Sequence, residues 1–215
     1  GLDEAEGPRV AIGALPTVSA TVVPDALAAL RTEGSHSRFS VRTGDNQYLL
    51  DQLRRGNLDV VVGRLPAPDH MVGLDFDPLF RERVVAVVAH DHPLAALPHV
   101  PADAFEGFPV LMPSEGSIIR PLVDRMFLEQ GVTVPRFPIE TVSATFGRRF
   151  TLKHRAIWII SHGVVRADLE EGVLALLPLN TDSTLGPVGL CIRSEHQLSA
   201  AAARCCAALR EMCEA

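Results

Sequence analysis

Two runs of β-branched residues constrain this chain more than any other feature. Residues 58–63 read LDVVVG, and residues 84–89 read VVAVVA. A strand with one wet face alternates apolar and polar residues, so an unbroken apolar run predicts cover on both faces. The covering helices are legible beside it. In NQYLLDQLRRG, just before the first run, Leu49, Leu50 and Leu53 share one helical face and Gly56 ends the helix. Val10–Leu15 reads as a short strand, Val22–Thr32 as a helix stopped at Gly34, and Phe39–Arg42 as another strand. The first 65 residues therefore predict βαβαβ, with the features of a parallel sheet.

The alternation resumes downstream. Leu74–Phe80 and Val84–Ala89 predict strands, followed by the proline-spaced stretch HPLAALPHVPADAFEGFP. PVLM then predicts a strand, SIIRPLVDRMFLEQG a helix, RFPIETVS a strand and Ala144–Lys153 a helix. AIWIIS, GVVRADLEEG and LALLPL read strand, helix, strand; GPVGLCIR is a last strand and Ser199–Met212 a terminal helix. The fold class is α/β, and 215 residues suit two units with a sheet each.

Composition excludes several functions. The net charge is −6 and the 20 basic residues are scattered. Nucleic-acid affinity rests on counterion release at a basic stripe, and none is present, so this stretch alone should bind nucleic acid poorly. No apolar run reaches the roughly 20 residues of a membrane helix. The opening GLDEAEGP is acidic and lacks the apolar core of a secretory signal. Cys191, Cys205, Cys206 and Cys213 include no C-x-x-C; neighbours on one helix point about 100° apart, so free thiols in a reducing cytoplasm are expected.

Enzyme and metal motifs are missing as well. There is no G-x-S-x-G elbow and neither phosphate-binding glycine motif. His90, Asp91 and His92 cluster but run straight into Pro93, which predicts a turn and no metal site. No cofactor is expected. What remains is a recurrence of hydroxyls and glycines after strands. Pro16, Thr17, Val18 and Ser19 follow the first strand, within GALPTVSATVVP; Thr43 and Gly44 follow the second; Gly63 and Arg64 close the third. Later come Ser114, Gly116 and Ser117, then Thr141 and Ser143, then Ser161. In open α/β sheets ligands bind outside the carboxyl ends of the strands, where helix N-termini favour anions. Each hydroxyl taken singly also reads as a helix N-cap. Arg64, Arg148 and Arg149 are the candidate cations, each with a plain surface role as the alternative.

Several segments, in order, resemble a known family. LLDQLRRGNLDVVVG, RVAIGALPTVSATVVPDALAALRTE, VVAVVAHDHPLA, GFPVLMPSEGSIIRPLVDRMFLEQGVTVP and WIISHGVVRADLEEGVLALLP are similar to successive pieces of the effector-binding domain of LysR-type transcriptional regulators. The match runs from Pro8 to Met212.

The resemblance implies two Rossmann-like lobes joined by two crossover strands, as in type 2 periplasmic binding proteins. Residues 8–84 with 187–215 would form lobe I, residues 85–186 lobe II, and residues 1–7 a linker remnant. An anionic effector would bind in the cleft between the lobes, against the residues named above. The winged helix-turn-helix of full-length members is absent from this stretch, so DNA would be met only through it. Homodimers of effector domains, tetramers at full length, a cytoplasmic location and no membrane partner are also implied.

Within the family, VVGRLPAP, IETVSATFGRRF and WIISHGVVRADLEEGVLALLPLNTDSTLGPVGL are most similar to regulators of protocatechuate catabolism, whose effectors would be carboxylated ring-cleavage products. Regulators of sugar-binding-protein genes are a second match. An exported solute-binding protein and an enzyme on the same fold are the rivals from other classes.

Overall fold

The computed structural model describes residues 7–214. They divide into two units, residues 7–81 with 187–214 and residues 82–186.

The chain enters the first unit through β1 (Arg9–Ala14), the short helix α1 (Pro16–Ser19), α2 (Val22–Thr32), β2 (Arg38–Arg42), α3 (Asn46–Arg54), β3 (Val60–Arg64) and β4 (Leu74–Glu82). The second unit holds β5 (Val84–Ala89), β6 (Val110–Met112), α4 (Arg120–Gln130), β7 (Ile139–Glu140), α5 (Ala144–His154), β8 (Ile157–Ser161), α6 (His162–Glu170) and β9 (Leu174–Leu176). The chain then returns with β10 (Gly186–Arg193) and α7 (Ala200–Glu214).

Both sheets have five strands, in the orders β2-β1-β3-β10-β4 and β7-β6-β8-β5-β9. β1 pairs in parallel with β2 and β3, whereas β10 meets β3 antiparallel. The two-faced cover predicted for LDVVVG is present. Val60 and Val62 pack into a core with α2 and α7, and Val61 packs on the other face against Leu49, Leu50 and Leu53 of α3. Burying each such leucine stabilises by about 2 kcal/mol. VVAVVA is buried along its whole length too, yet β5 pairs antiparallel with both β8 and β9. Cover on both faces sets the composition of such a strand, and its direction leaves no trace there.

The NLD segment before β3 has a local cause. Gly56 ends α3 at φ +77°, Leu58 is fully buried, and Asp59 accepts a hydrogen bond from the Ala11 amide at 2.7 Å. The Asp59 amide in turn donates to the Ala11 carbonyl at 2.8 Å. The side chain thus closes the β1 ladder where β3 begins. Asp45 caps α3 by accepting from the Tyr48 amide, a contact of about 1 kcal/mol.

Three predicted elements are shorter than the sequence implied. RFPIETVS pairs only at Ile139–Glu140, because Pro135 and Pro138 supply no donors. LALLPL pairs only at Leu174–Leu176, before Pro178. The helix placed from Ser117 starts at Arg120, and residues 114–119 form a turn instead. Among the described residues no helix is long and apolar enough to cross a membrane.

Candidate functional site

In the first unit, parallel pairing sets the carboxyl ends of β2, β1 and β3 side by side. That edge carries Thr43, the Pro16–Ser19 helix, Gly63 and Arg64. The Leu15 amide donates to the Val62 carbonyl at 3.0 Å, which holds α1 against the end of β3. Gly63 is required there: a Cβ would lie 2.2 Å from the Leu15 side chain. Arg64 is 5% exposed and Thr17 is equally buried. A guanidinium held there, with little water around it, has the charge and planar geometry that suit a carboxylate.

The hydroxyls after β1 are not helix caps, which corrects the cap reading. Thr17 and Ser19 lie inside α1, and its N-cap is Leu15. Ser19 Oγ donates to the Pro16 carbonyl at 2.9 Å, and Thr21 Oγ1 to the Thr17 carbonyl at 2.8 Å. The physical cause is Pro16, whose fixed φ and missing N–H favour starting the helix there, ahead of the hydroxyls.

In the second unit, β7, β6 and β8 place three more segments on one edge. Ser143 is a true cap of α5, accepting from the Phe146 amide at 3.3 Å. Thr141 Oγ1 accepts from the Ser143 amide at 3.0 Å. In the turn after β6, Ser114 accepts the Ser117 amide through its carbonyl, and Gly116 takes φ +81°. Ser117 Oγ is buried and makes no hydrogen bond among the described residues. At Ser161 the sequence missed a partner. The first turn of α6 is held by the buried Glu82, whose carboxylate accepts from the Gly163 amide at 2.7 Å. That contact spans 81 residues and has no local signal.

Arg148 and His92 have structural partners. Arg148 forks onto Asp168, with Nε 3.0 Å from each carboxylate oxygen, and the pairing raises its pKa. Arg149 is exposed. His92 is buried, with Nδ1 accepting from the Leu94 amide and Nε2 against the Arg155 carbonyl, and burial lowers its pKa. Among the described residues no group of three or more His, Cys, Asp or Glu is placed to hold a metal.

The cysteines are packing residues of the first unit. Cys191, Cys205 and Cys206 are buried free thiols, and burial pushes them up to about 12, 12 and 11. Thiolates are the reactive form, so these three are inert at neutral pH. Ellman's reagent on the native chain is therefore expected to titrate no more than the half-buried Cys213 within minutes, and all four thiols in guanidinium. Rapid native reaction of more than one thiol would contradict this burial.

Sequence comparison decides the family. A family model described as the LysR substrate binding domain matches residues 3–214. The chain belongs to this family. The LysR domain here is 45% identical over 205 residues to the HTH-type transcriptional regulator PcaQ of Agrobacterium fabrum, covering 95% of this chain and 66% of that protein. YdcI of Escherichia coli K12, an uncharacterized HTH-type regulator, is 30% identical over 190 residues, 88% of this chain and 62% of that protein. This LysR chain thus spans under two thirds of the length of these relatives, which are transcriptional regulators and not enzymes.

Solved structures agree on the LysR fold. The effector-binding domain of QuiR, in complex with shikimate, superposes with TM-score 0.78 at 20% identity, covering 97% of this chain and 98% of that one. The regulatory domain of Synechocystis CcmR, in complex with 2-PG, gives 0.80 at 17%, covering 96% and 98%. The LysR regulatory fold is that of type 2 periplasmic binding proteins, as expected from the sequence.

Proposed function

We propose that this LysR domain senses a small carboxylated metabolite, an aromatic acid or a carboxylated muconate from its ring cleavage. Arg64 carries the reading. A buried guanidinium at the carboxyl end of β3, beside the α1 turn, matches a carboxylate in charge and shape. The likeness to PcaQ, a protocatechuate-pathway regulator, supports the same ligand class. In the second unit, the hydroxyl turns after β6 and β7 carry polar groups suited to the same ligand class. Binding would shift the population of conformations of a longer, cytoplasmic, oligomeric regulator, which would meet DNA through a domain outside this chain.

Isothermal titration of this chain with protocatechuate and with a carboxylated muconate tests the ligand class. Binding of either with favourable enthalpy is expected. Absence of binding to both, alongside saturable binding of a monosaccharide, would replace this reading with a sugar sensor.

A further inference from the structure

The turn between β6 and α4 is held by one side chain. Arg120 is the first residue of α4, and its side chain is 16% exposed. Nε donates to both carboxylate oxygens of Asp124, one helical turn on, at 3.0 and 3.2 Å. Nη1 donates to the Pro113 carbonyl at 3.0 Å and to Glu140 Oε1 at 2.7 Å. Glu140 Oε2 accepts from the Glu115 amide at 3.3 Å. Glu140 ends β7, directly before Thr141. One guanidinium therefore fastens the entry of the turn, the start of α4 and the end of β7, and Glu140 extends the hold to the middle of the turn.

This geometry differs from an ordinary surface ion pair, whose partners are mobile and screened. Arg120 has three acceptors on separate segments, and one is a main-chain carbonyl. The pairing is tight enough to lower the Glu140 pKa and raise that of Arg120, each chiefly through their shared hydrogen bond. What the clamp presents is Ser117, four residues after Pro113. Gly116 turns the chain at φ +81°, and the Ser117 amide is engaged by the Ser114 carbonyl. Its hydroxyl alone stays buried with no hydrogen bond among the described residues. A buried hydroxyl without a partner is unfavourable, and its persistence calls for an explanation, of which completion by a bound group is one.

We propose that Arg120 is a positioning residue for effector recognition. Clamped to Pro113, Asp124 and Glu140, it holds the 113–117 turn in the one shape that offers the Ser117 hydroxyl to the effector. This rests on the reading that the strand carboxyl edges of this domain meet a carboxylated metabolite. In this role Arg120 acts through the turn, its Nε and Nη1 donors being engaged by Asp124, Pro113 and Glu140.

The test compares the 215-residue chain with Arg120→Met, Arg120→Lys and Glu140→Gln. Amide hydrogen exchange is read by NMR without ligand, and affinity by titration with protocatechuate and a carboxylated muconate. Arg120→Met is expected to speed exchange at Glu115 and Ser117 about tenfold or more, leaving the amides of β5 and β8 unchanged. Affinity should fall about tenfold to 100-fold with a cooperative melt retained, and Arg120→Lys should recover part of it. Glu140→Gln should reproduce both effects and stands in if Arg120→Met does not fold. Unchanged exchange in the turn, or affinity within twofold of the parent, overturns the proposal. If the parent chain binds neither probe, the carboxylate reading fails, and the exchange data still decide whether Arg120 shapes the turn.

Discussion

On the proposed carboxylate reading, Arg64→Met is expected to weaken effector binding by about 30-fold or more, roughly 2 kcal/mol. Arg64 ends β3 after the buried Val60, Val61 and Val62, and Val188 of β10 lies opposite it in the ladder. Water is largely excluded there, so a hydrogen bond to a carboxylate is weakly screened and loses more when removed than one at the surface. Methionine keeps the length and the apolar stem but offers neither charge nor donors. Arg64→Lys separates the two contributions. It keeps the charge and loses the planar fork, so an intermediate affinity marks bidentate contact, while loss equal to methionine marks geometry as decisive. Titration calorimetry gives the affinities, and a cooperative thermal melt shows that each variant is folded. Affinity within twofold of the parent in both variants would remove Arg64 from the seat.

Gly147→Ala costs the second unit about 2 kcal/mol or more of stability, although alanine is the better helix former by about 1 kcal/mol. The reason is Trp158. A Cβ on Gly147 would lie 2.3 Å from Cε2 and Cζ2 of its indole. The ring cannot yield, because Trp158 is 1% exposed and sits on β8, which lies between β5 and β6. Either α5 lifts from the sheet or the ring leaves its place. Trp158→Phe shortens the ring at that point, so adding it to Gly147→Ala should recover part of the loss, and a double-mutant cycle measures the coupling. Urea unfolding followed by fluorescence suits the parent and the single glycine variant, since Trp158 is the chain's only tryptophan. A Gly147→Ala midpoint equal to or above the parent's would show that the helix and sheet have slack at this contact.

How far each site residue was legible follows from the range of its interactions. Ser143 reads as a cap from its place before a helical pattern, and it is one, because a cap bonds three residues away. Thr17 and Ser19 read the same way and are not caps, because Pro16 starts α1 earlier than the hydroxyls do. Glu82 gave no signal, since its partner amide at Gly163 is distant in sequence. Arg120 gave no signal within SIIRPLVDRMFLEQG; its pairing depends on Glu140, brought beside it by the parallel pairing of β7 with β6.

Local periodicity and composition determined the α/β class, the two sheets and the buried strands, because each of these depends on which faces need cover. The ordered segments, taken together, determined the family. Through the family they also implied that the chain returns to its first unit, whereas tertiary structure alone decided that β5 and β10 run antiparallel to their neighbours at β8 and β3 and that Arg64 is buried. Burial, strand direction and the partner of a charge are properties of pairs of segments far apart in the chain. No window of sequence contains both halves of such a pair. The stretch GALPTVSATVVP shows the division: its residues announce a strand and a turn, and only tertiary pairing sets that turn against the end of β3, where Arg64 is buried.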